Sequence, residues 1–244
     1  MKDSYWDGVI YSNIEISPNI YEIVLEGDFK GLPGQFYMVR GWNELDPFLP
    51  RPISICDIEN GRIKFLYEVR GRGTHIISRL RKGDKLSILG PLGNGFDFEA
   101  RGKIALISGG IGIAPMLYLA KNLSEEIDIY SGFRNNAYFL DQIRPYVKNI
   151  LIATEDGSTG HKGYVTELFH PSKYDLVLTC GPIPMMEAVI KMCKGIVPIY
   201  VSMENRMACG IGACLGCTIE TIRGMERVCK EGPVFKGEEV VLND

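Results

Sequence analysis

Four of the seven cysteines lie between residues 209 and 229, spaced Cys209-x4-Cys214-x2-Cys217-x11-Cys229, and no other feature narrows the possible folds as far. Gly210, Gly212 and Gly216 stand among the first three. A segment this short and this rich in glycine cannot bury a large core of its own. Its structure must then come from ligands converging on a metal. The start, MKDSYWDGVIYSN, has neither a basic leader nor an apolar run of signal length. A cytoplasmic, reducing location is expected, where clustered thiols hold metal and do not form a disulfide framework.

Spacing narrows the metal. The first three cysteines match the plant-type ferredoxin pattern for a two-iron, two-sulfur (2Fe-2S) cluster. Structural zinc sites usually show two paired short spacings, whereas this is three ligands and then one. Glycine also lets a loop wrap a cluster at positive φ and turn its N–H groups toward sulfur. Zinc is the alternative. The remaining Cys56, Cys180 and Cys193 stand alone, and Cys56 and Cys193 read as core residues.

The rest of the chain divides by rhythm. Up to residue 98, short strands such as IYEIVLEG, GQFYMVRG, RPISICDIE and RIKFLYEVRG alternate with Gly, Pro, Asn and Asp turns, the pattern of a small antiparallel β-barrel. Only THIISRLRKG has helical spacing there. From residue 99 to 205 apolar strands alternate with helices: KIALIS then APMLYLAKNL, IDIYSGF then YFLDQIRPYV, NILIATED then GYVTELFH, YDLVLTC then MMEAVIKMC, and finally the strand VPIYVS. That predicts an α/β domain with a parallel sheet covered by helices on both faces. Residues 206–244 form the small cysteine-bearing third domain. With 244 residues and 45% hydrophobic composition, there is apolar content for two sizeable cores. Net charge is -3 with no basic run, so neither nucleic acid nor an anionic membrane is an expected partner.

Several turns point to dinucleotides. In ALISGGIGIAPMLYLA a buried strand runs into Gly109, Gly110 and Gly112 and then a helix with Pro115 in its first turn. Such a turn puts unpaired N–H groups and a helix dipole where a diphosphate can sit. Cys180, Gly181 and Pro182 follow a later strand, and ligands of such sheets lie across the strands' carboxyl ends. In the barrel half, RPIS supplies the donor fork of Arg51 and the small hydroxyl of Ser54. GRGTHII adds Gly73 and Thr74, with Thr74 expected as N-cap of the one helix in that half.

Taken in order, RPIS, LYE, GT, GPLGNGF, GGIGIAP, CGP and the cysteine tail resemble the ferredoxin reductase-like flavoproteins over essentially the whole chain. LGPLGNGF, MACGIGACLGC and VCKEGPVF most resemble the dihydroorotate dehydrogenase B electron-transfer subunits. The resemblance implies FAD in the barrel domain, NAD as an exchangeable substrate on the sheet, and one 2Fe-2S cluster on Cys209, Cys214, Cys217 and Cys229. It carries the FAD contacts onto Arg51, Pro52, Ile53, Ser54, Leu66, Tyr67, Glu68, Gly73 and Thr74. Glu68 departs from the basic residue common at its position, and a carboxylate beside a diphosphate repels it. It further implies an FMN-containing dihydroorotate dehydrogenase catalytic subunit as partner, in a heterotetramer of two plus two serving pyrimidine biosynthesis.

FAD belongs between NAD and the cluster, because nicotinamide moves two electrons as hydride, iron-sulfur clusters move one, and flavin does both. No side chain need act as acid or base. Cys180 and Ser54 are expected to flank the nicotinamide and the flavin. The tail, lacking its own core, is expected to be completed by a permanent apolar contact with the partner. Two rivals stand beside this reading: a flavin subunit feeding a hydrogenase, sulfide dehydrogenase or ferredoxin-linked transhydrogenase, and a zinc-stapled binding module without redox chemistry.

Overall fold

The computed structural model describes residues 6–96, 101–123 and 125–242. Strands β1 (Trp6–Ser17), β2 (Ile20–Glu26), β3 (Phe36–Arg40), β4 (Arg51–Glu59), β5 (Arg62–Glu68) and β6 (Lys85–Leu92) close an antiparallel barrel in the order β1-β2-β5-β4-β3-β6. Alternation does the work: in β2 Ile23 and Leu25 are buried inside with Tyr37, Phe65, Ile77 and Leu86, while Ile20 is buried in a separate cluster with Leu66 and Leu117. Helix α1 (Arg72–Arg79) plugs one end of the barrel with Ile77. Asn13 of β1 fixes the helix, since its Nδ2 donates to the carbonyls of Ile77 at 2.9 Å and Leu80 at 3.0 Å, satisfying C-terminal acceptors. The N-cap is Gly71 and not Thr74. Thr74 sits one turn in, where its hydroxyl accepts the backbone N–H groups of Arg70 and Gly71.

The second unit is a seven-stranded sheet in the order β10-β9-β8-β7-β11-β12-β15. Its strands are β7 (Lys103–Gly109), β8 (Glu126–Phe133), β9 (Asn149–Thr154), β10 (His161–Lys162), β11 (Leu176–Cys180), β12 (Ile199–Ser202) and β15 (Val234–Lys236). All neighbours run parallel except β15, which pairs antiparallel with β12. Helix α2 (Ala114–Asn122) packs in one apolar cluster and α4 (Ile183–Cys193) in another. The expected helix in YFLDQIRPYV is only the one turn of α3 (Leu140–Ile143), which passes into a 3-10 turn containing Pro145. The α-helix expected in GYVTELFH is absent: the 3-10 turn Val165–Glu167 stands there instead, and a second, Pro171–Lys173, follows it. Gly163 and Pro171 bound the segment, and Phe169 leaves it to pack against Tyr130 and Tyr174.

The tail contributes a hairpin, β13 (Thr218–Thr221) and β14 (Gly224–Arg227), before β15. It does not wait for another protein to complete its core. Cys217, Val228, Cys229 and Phe235 are buried together with Phe36, Met38 and Leu89 of the barrel and Val177 and Val201 of the sheet. Asn94, just past β6, joins in: its backbone N–H donates to Gly232 at 2.6 Å and its side chain to Lys230 and Glu231. The boundary expected between residues 98 and 99 lies outside the described residues. Among the described residues no helix is long and apolar enough to cross a membrane.

Candidate functional site: a dinucleotide cleft beside a cysteine loop

A cleft of about 590 Å³ opens where barrel and sheet meet. From the barrel it takes Arg51, Pro52, Ile53 and Ser54 of β4, Leu66, Tyr67 and Glu68 of β5, and Thr74 of α1, all expected from the sequence. Pairing explains this convergence, because β4 and β5 are neighbours and α1 follows β5 directly. The Arg51 guanidinium lies over Trp42, 5.4 Å from the ring centroid, and donates to the Leu49 carbonyl. It also packs so close to Gly73 that a Cβ there would meet its Cζ at 2.8 Å. Arginine and helix start thus form one corner, rich in N–H donors and fit for an anion.

The cleft holds residues that sequence reasoning missed. Arg70 lines it and pairs with Glu68 at 2.6 Å, so the repulsion expected from Glu68 is answered two positions along. Met203, Glu204, Asn205, Arg206 and Met207 form the wall contributed by the segment after β12. Glu204 is open to the cleft but ringed by protein on its other sides, and that burial raises its carboxyl pKa, with Arg70 opposing. No motif marks these residues. Only the closing of the sheet over the barrel brings them in.

Cys180 does not line the cleft. Its thiol is fully buried behind Glu204, 3.9 Å from Oε1, and burial pushes its pKa well up. Gly109 and Gly112 meet Cys180, Gly181 and Pro182 at the carboxyl ends of β7 and β11, while Gly110 faces open space. A Cβ on Gly112 would stand 2.3 Å from the Cys180 carbonyl oxygen, and one on Gly109 would stand 2.7 Å from Pro182. The two turns expected to hold a diphosphate are therefore in direct contact, and Ile111 and Ala114 of the first reach the cleft.

The cysteines follow the cleft wall without interruption, since Met207 lines the cleft and Cys209 is two residues on. Two residues span at most about 7 Å of backbone. The four thiols stand as two pairs. Cys209 and Cys214 are 3.3 Å apart, while Cys217 and Cys229 are buried side by side, the neighbouring Cys217 adding to the burial that pushes the Cys229 thiol up to about 12. Backbone N–H groups face sulfur: Gly212 donates to Cys229 Sγ at 3.1 Å and Cys214 to Cys209 Sγ at 3.4 Å. Two pairs of thiolates fit a two-iron cluster better than one zinc ion.

A protein of Clostridium acetobutylicum named dihydroorotate dehydrogenase B (NAD(+)), electron transfer subunit, is 52% identical over 100% of both chains. The chain belongs to this electron transfer subunit family. A second subunit of the same name, from Clostridium perfringens, is 47% identical over 98% of this chain and 99% of its own. The model of the iron-sulfur cluster binding domain of dihydroorotate dehydrogenase B matches residues 204–241. That match starts at Glu204 in the cleft wall and takes in all four cysteines. Among solved structures, an NADH-dependent reduced ferredoxin-NADP oxidoreductase studied for flavin-based electron bifurcation superposes with TM-score 0.87 at 28% identity. It covers 96% of this chain and 90% of its own. A ferredoxin reductase of carbazole 1,9a-dioxygenase, TM-score 0.67 at 20% identity over 81% of this chain and 68% of its own, shares the fold.

Proposed function

We propose that this chain carries electrons between NAD and a dihydroorotate-oxidising catalytic subunit that bears FMN, in a cytoplasmic assembly of two chains of each kind. The observation that carries the reading is the run from Met203 to Cys217: one unbroken segment walls the dinucleotide cleft and then supplies three of the four thiols. When bound, NAD supplies hydride exchange, FAD two-electron and one-electron transfer, and a 2Fe-2S cluster one-electron transfer. The chain's own residues bind and orient. Arg51 with the Gly71–Thr74 helix start takes the FAD diphosphate, and Pro52, Ile53, Ser54, Leu66 and Tyr67 border the ring system. Glu68 and Arg70 neutralise one another at the rim. The contacting turns Gly109–Gly112 and Cys180–Pro182 receive NAD at the sheet's carboxyl edge. Cys209, Cys214, Cys217 and Cys229 hold the cluster beside the flavin cleft.

The docking side follows from the same loop. Ile211, Leu215, Ile222 and Met225, all on the cysteine loop and its hairpin, are each more than half exposed. An apolar surface around the cluster suits a permanent partner. The bifurcating relative favours a transhydrogenase partner, but at 28% identity against 52% it weighs less. The test is to assay the purified chain with dihydroorotate and NAD, alone and with an FMN-bearing dihydroorotate dehydrogenase subunit. NADH oxidation with an artificial acceptor is expected from the chain alone. Dihydroorotate turnover is expected only with the partner; turnover by the chain alone refutes the division of labour.

A further inference from the structure

Beside the cysteine loop, Arg227 makes a set of contacts that the cofactor motifs do not account for. Its Nε and Nη2 grip Glu231 at 3.1 and 2.6 Å, and its backbone N–H donates to the same carboxylate at 2.8 Å. The remaining branch, Nη1, donates to the carbonyl of Gly212 at 2.6 Å. Gly212 is the residue whose own N–H points at Cys229 Sγ. It sits at φ +77, and a Cβ there would strike Lys230 at 2.6 Å, so the turn is confined from both sides. One guanidinium thus ties the loop of the first three cysteines to the strand that leads into the fourth.

The same group is also placed electrically. Arg227 pairs with Thr218 across the hairpin, and the Val228 N–H donates to the Cys217 carbonyl at 3.1 Å. The Arg227 Nη1 reaches the Gly212 carbonyl, and the Gly212 N–H in turn faces Cys229 Sγ, so a single residue separates the guanidinium from that sulfur. A cation near cluster sulfurs favours arrival of an electron, and a carboxylate behind it opposes that effect. We propose that the Arg227–Glu231 pair is a positioning and tuning device: it locks the Gly212 turn against Cys229 and sets the charge that biases the cluster's potential. This rests on the reading of the four cysteines as ligands.

The holoprotein tests it through three variants, Arg227→Gln, Glu231→Gln and Arg227→Lys. Iron and sulfide content, an EPR-monitored redox titration and the rate of iron loss to a chelator are the readouts. The midpoint potential should fall in Arg227→Gln and rise in Glu231→Gln. Arg227→Lys, which keeps the charge but lacks the fork, should hold its potential near the parent's and surrender iron several-fold faster. A pair that only braces the hairpin gives no opposed shifts, so equal or absent shifts overturn the tuning role. Iron lost from Glu231→Gln, which keeps the Arg227 contact to Gly212, as fast as from Arg227→Gln overturns it as well, by making the pair a scaffold alone. Iron held by Arg227→Lys as long as by the parent overturns the positioning role. A parent that binds no iron removes the ligand reading itself.

Discussion

Arg51 was visible in advance because RPIS puts a donor fork at the mouth of a strand, and the structure sets it against the α1 helix start. On the proposed reading, replacing it with alanine should remove one charge-assisted contact to the FAD diphosphate, worth about 1.5–3 kcal/mol, or roughly one to two decades in affinity. Equilibrium flavin binding by Arg51→Ala measures this, and unchanged affinity would move the diphosphate elsewhere. The cysteines were equally legible, since spacing and glycine content are local properties. Cys217→Ser should lose the cluster, while Cys193→Ser, whose thiol is buried in α4 and is no part of the cysteine loop, should keep full iron and sulfide. Arg70 and Glu204 were not legible. A lone arginine and a lone glutamate carry no pattern, and their meaning arises only from the walls of the cleft. Glu68 looked discordant for the same reason, its partner being a matter of rotamer and not of motif.

Strand order and helix placement show a similar division. Five of the six parallel strands announced themselves as apolar runs, and the barrel strands by alternation, because burial on two faces or one leaves that imprint; the exposed edge strand β10, His161–Lys162, left none. The helices of the middle segment misled, because Val165, Leu168 and Phe169 at helical spacing in GYVTELFH serve core packing through irregular backbone. The β7 and β11 turns give the sharpest test of the sheet's role. In Gly112→Ala the new methyl would press on the Cys180 carbonyl, which can yield only if the two turns part. The expected cost is about 1–3 kcal/mol. That corresponds to roughly 2–4 °C in Tm for each kcal/mol. NAD(H) affinity should fall while flavin retention holds. Calorimetric melting with paired NADH and FAD titrations would check both, and a selective loss of flavin would refute the assignment of these turns.

Across the molecule, barrel, sheet and tail share one apolar cluster, so a disturbance at one cofactor site is expected to reach the others even where their residues are far apart in sequence. Stripping the iron should therefore lower Tm and also quicken flavin loss, because the wall from Met203 to Met207 runs straight into the cysteine loop. Melting curves and the fluorescence of released flavin, before and after chelation, measure this; flavin retention unaffected by iron removal would contradict it. The coupling was illegible in the sequence, which suggested a tail needing outside support. Its supports, Phe36, Met38 and Leu89, lie in barrel strands made long before it. Asn94 is bonded to Lys230 and Glu231, the first of them 136 positions later, and β15 supplies the sheet's last strand. On the ribosome, then, the barrel emerges with its final turn unanchored and the sheet with an open edge, and both stay so until the residues after Cys229 appear. A chain growing from its N-terminus acquires its flavin cleft and its metal site in the same late moment, and any premature stop before β15 leaves a product with exposed apolar surface and an unpaired strand, the signature by which quality control recognises failed synthesis.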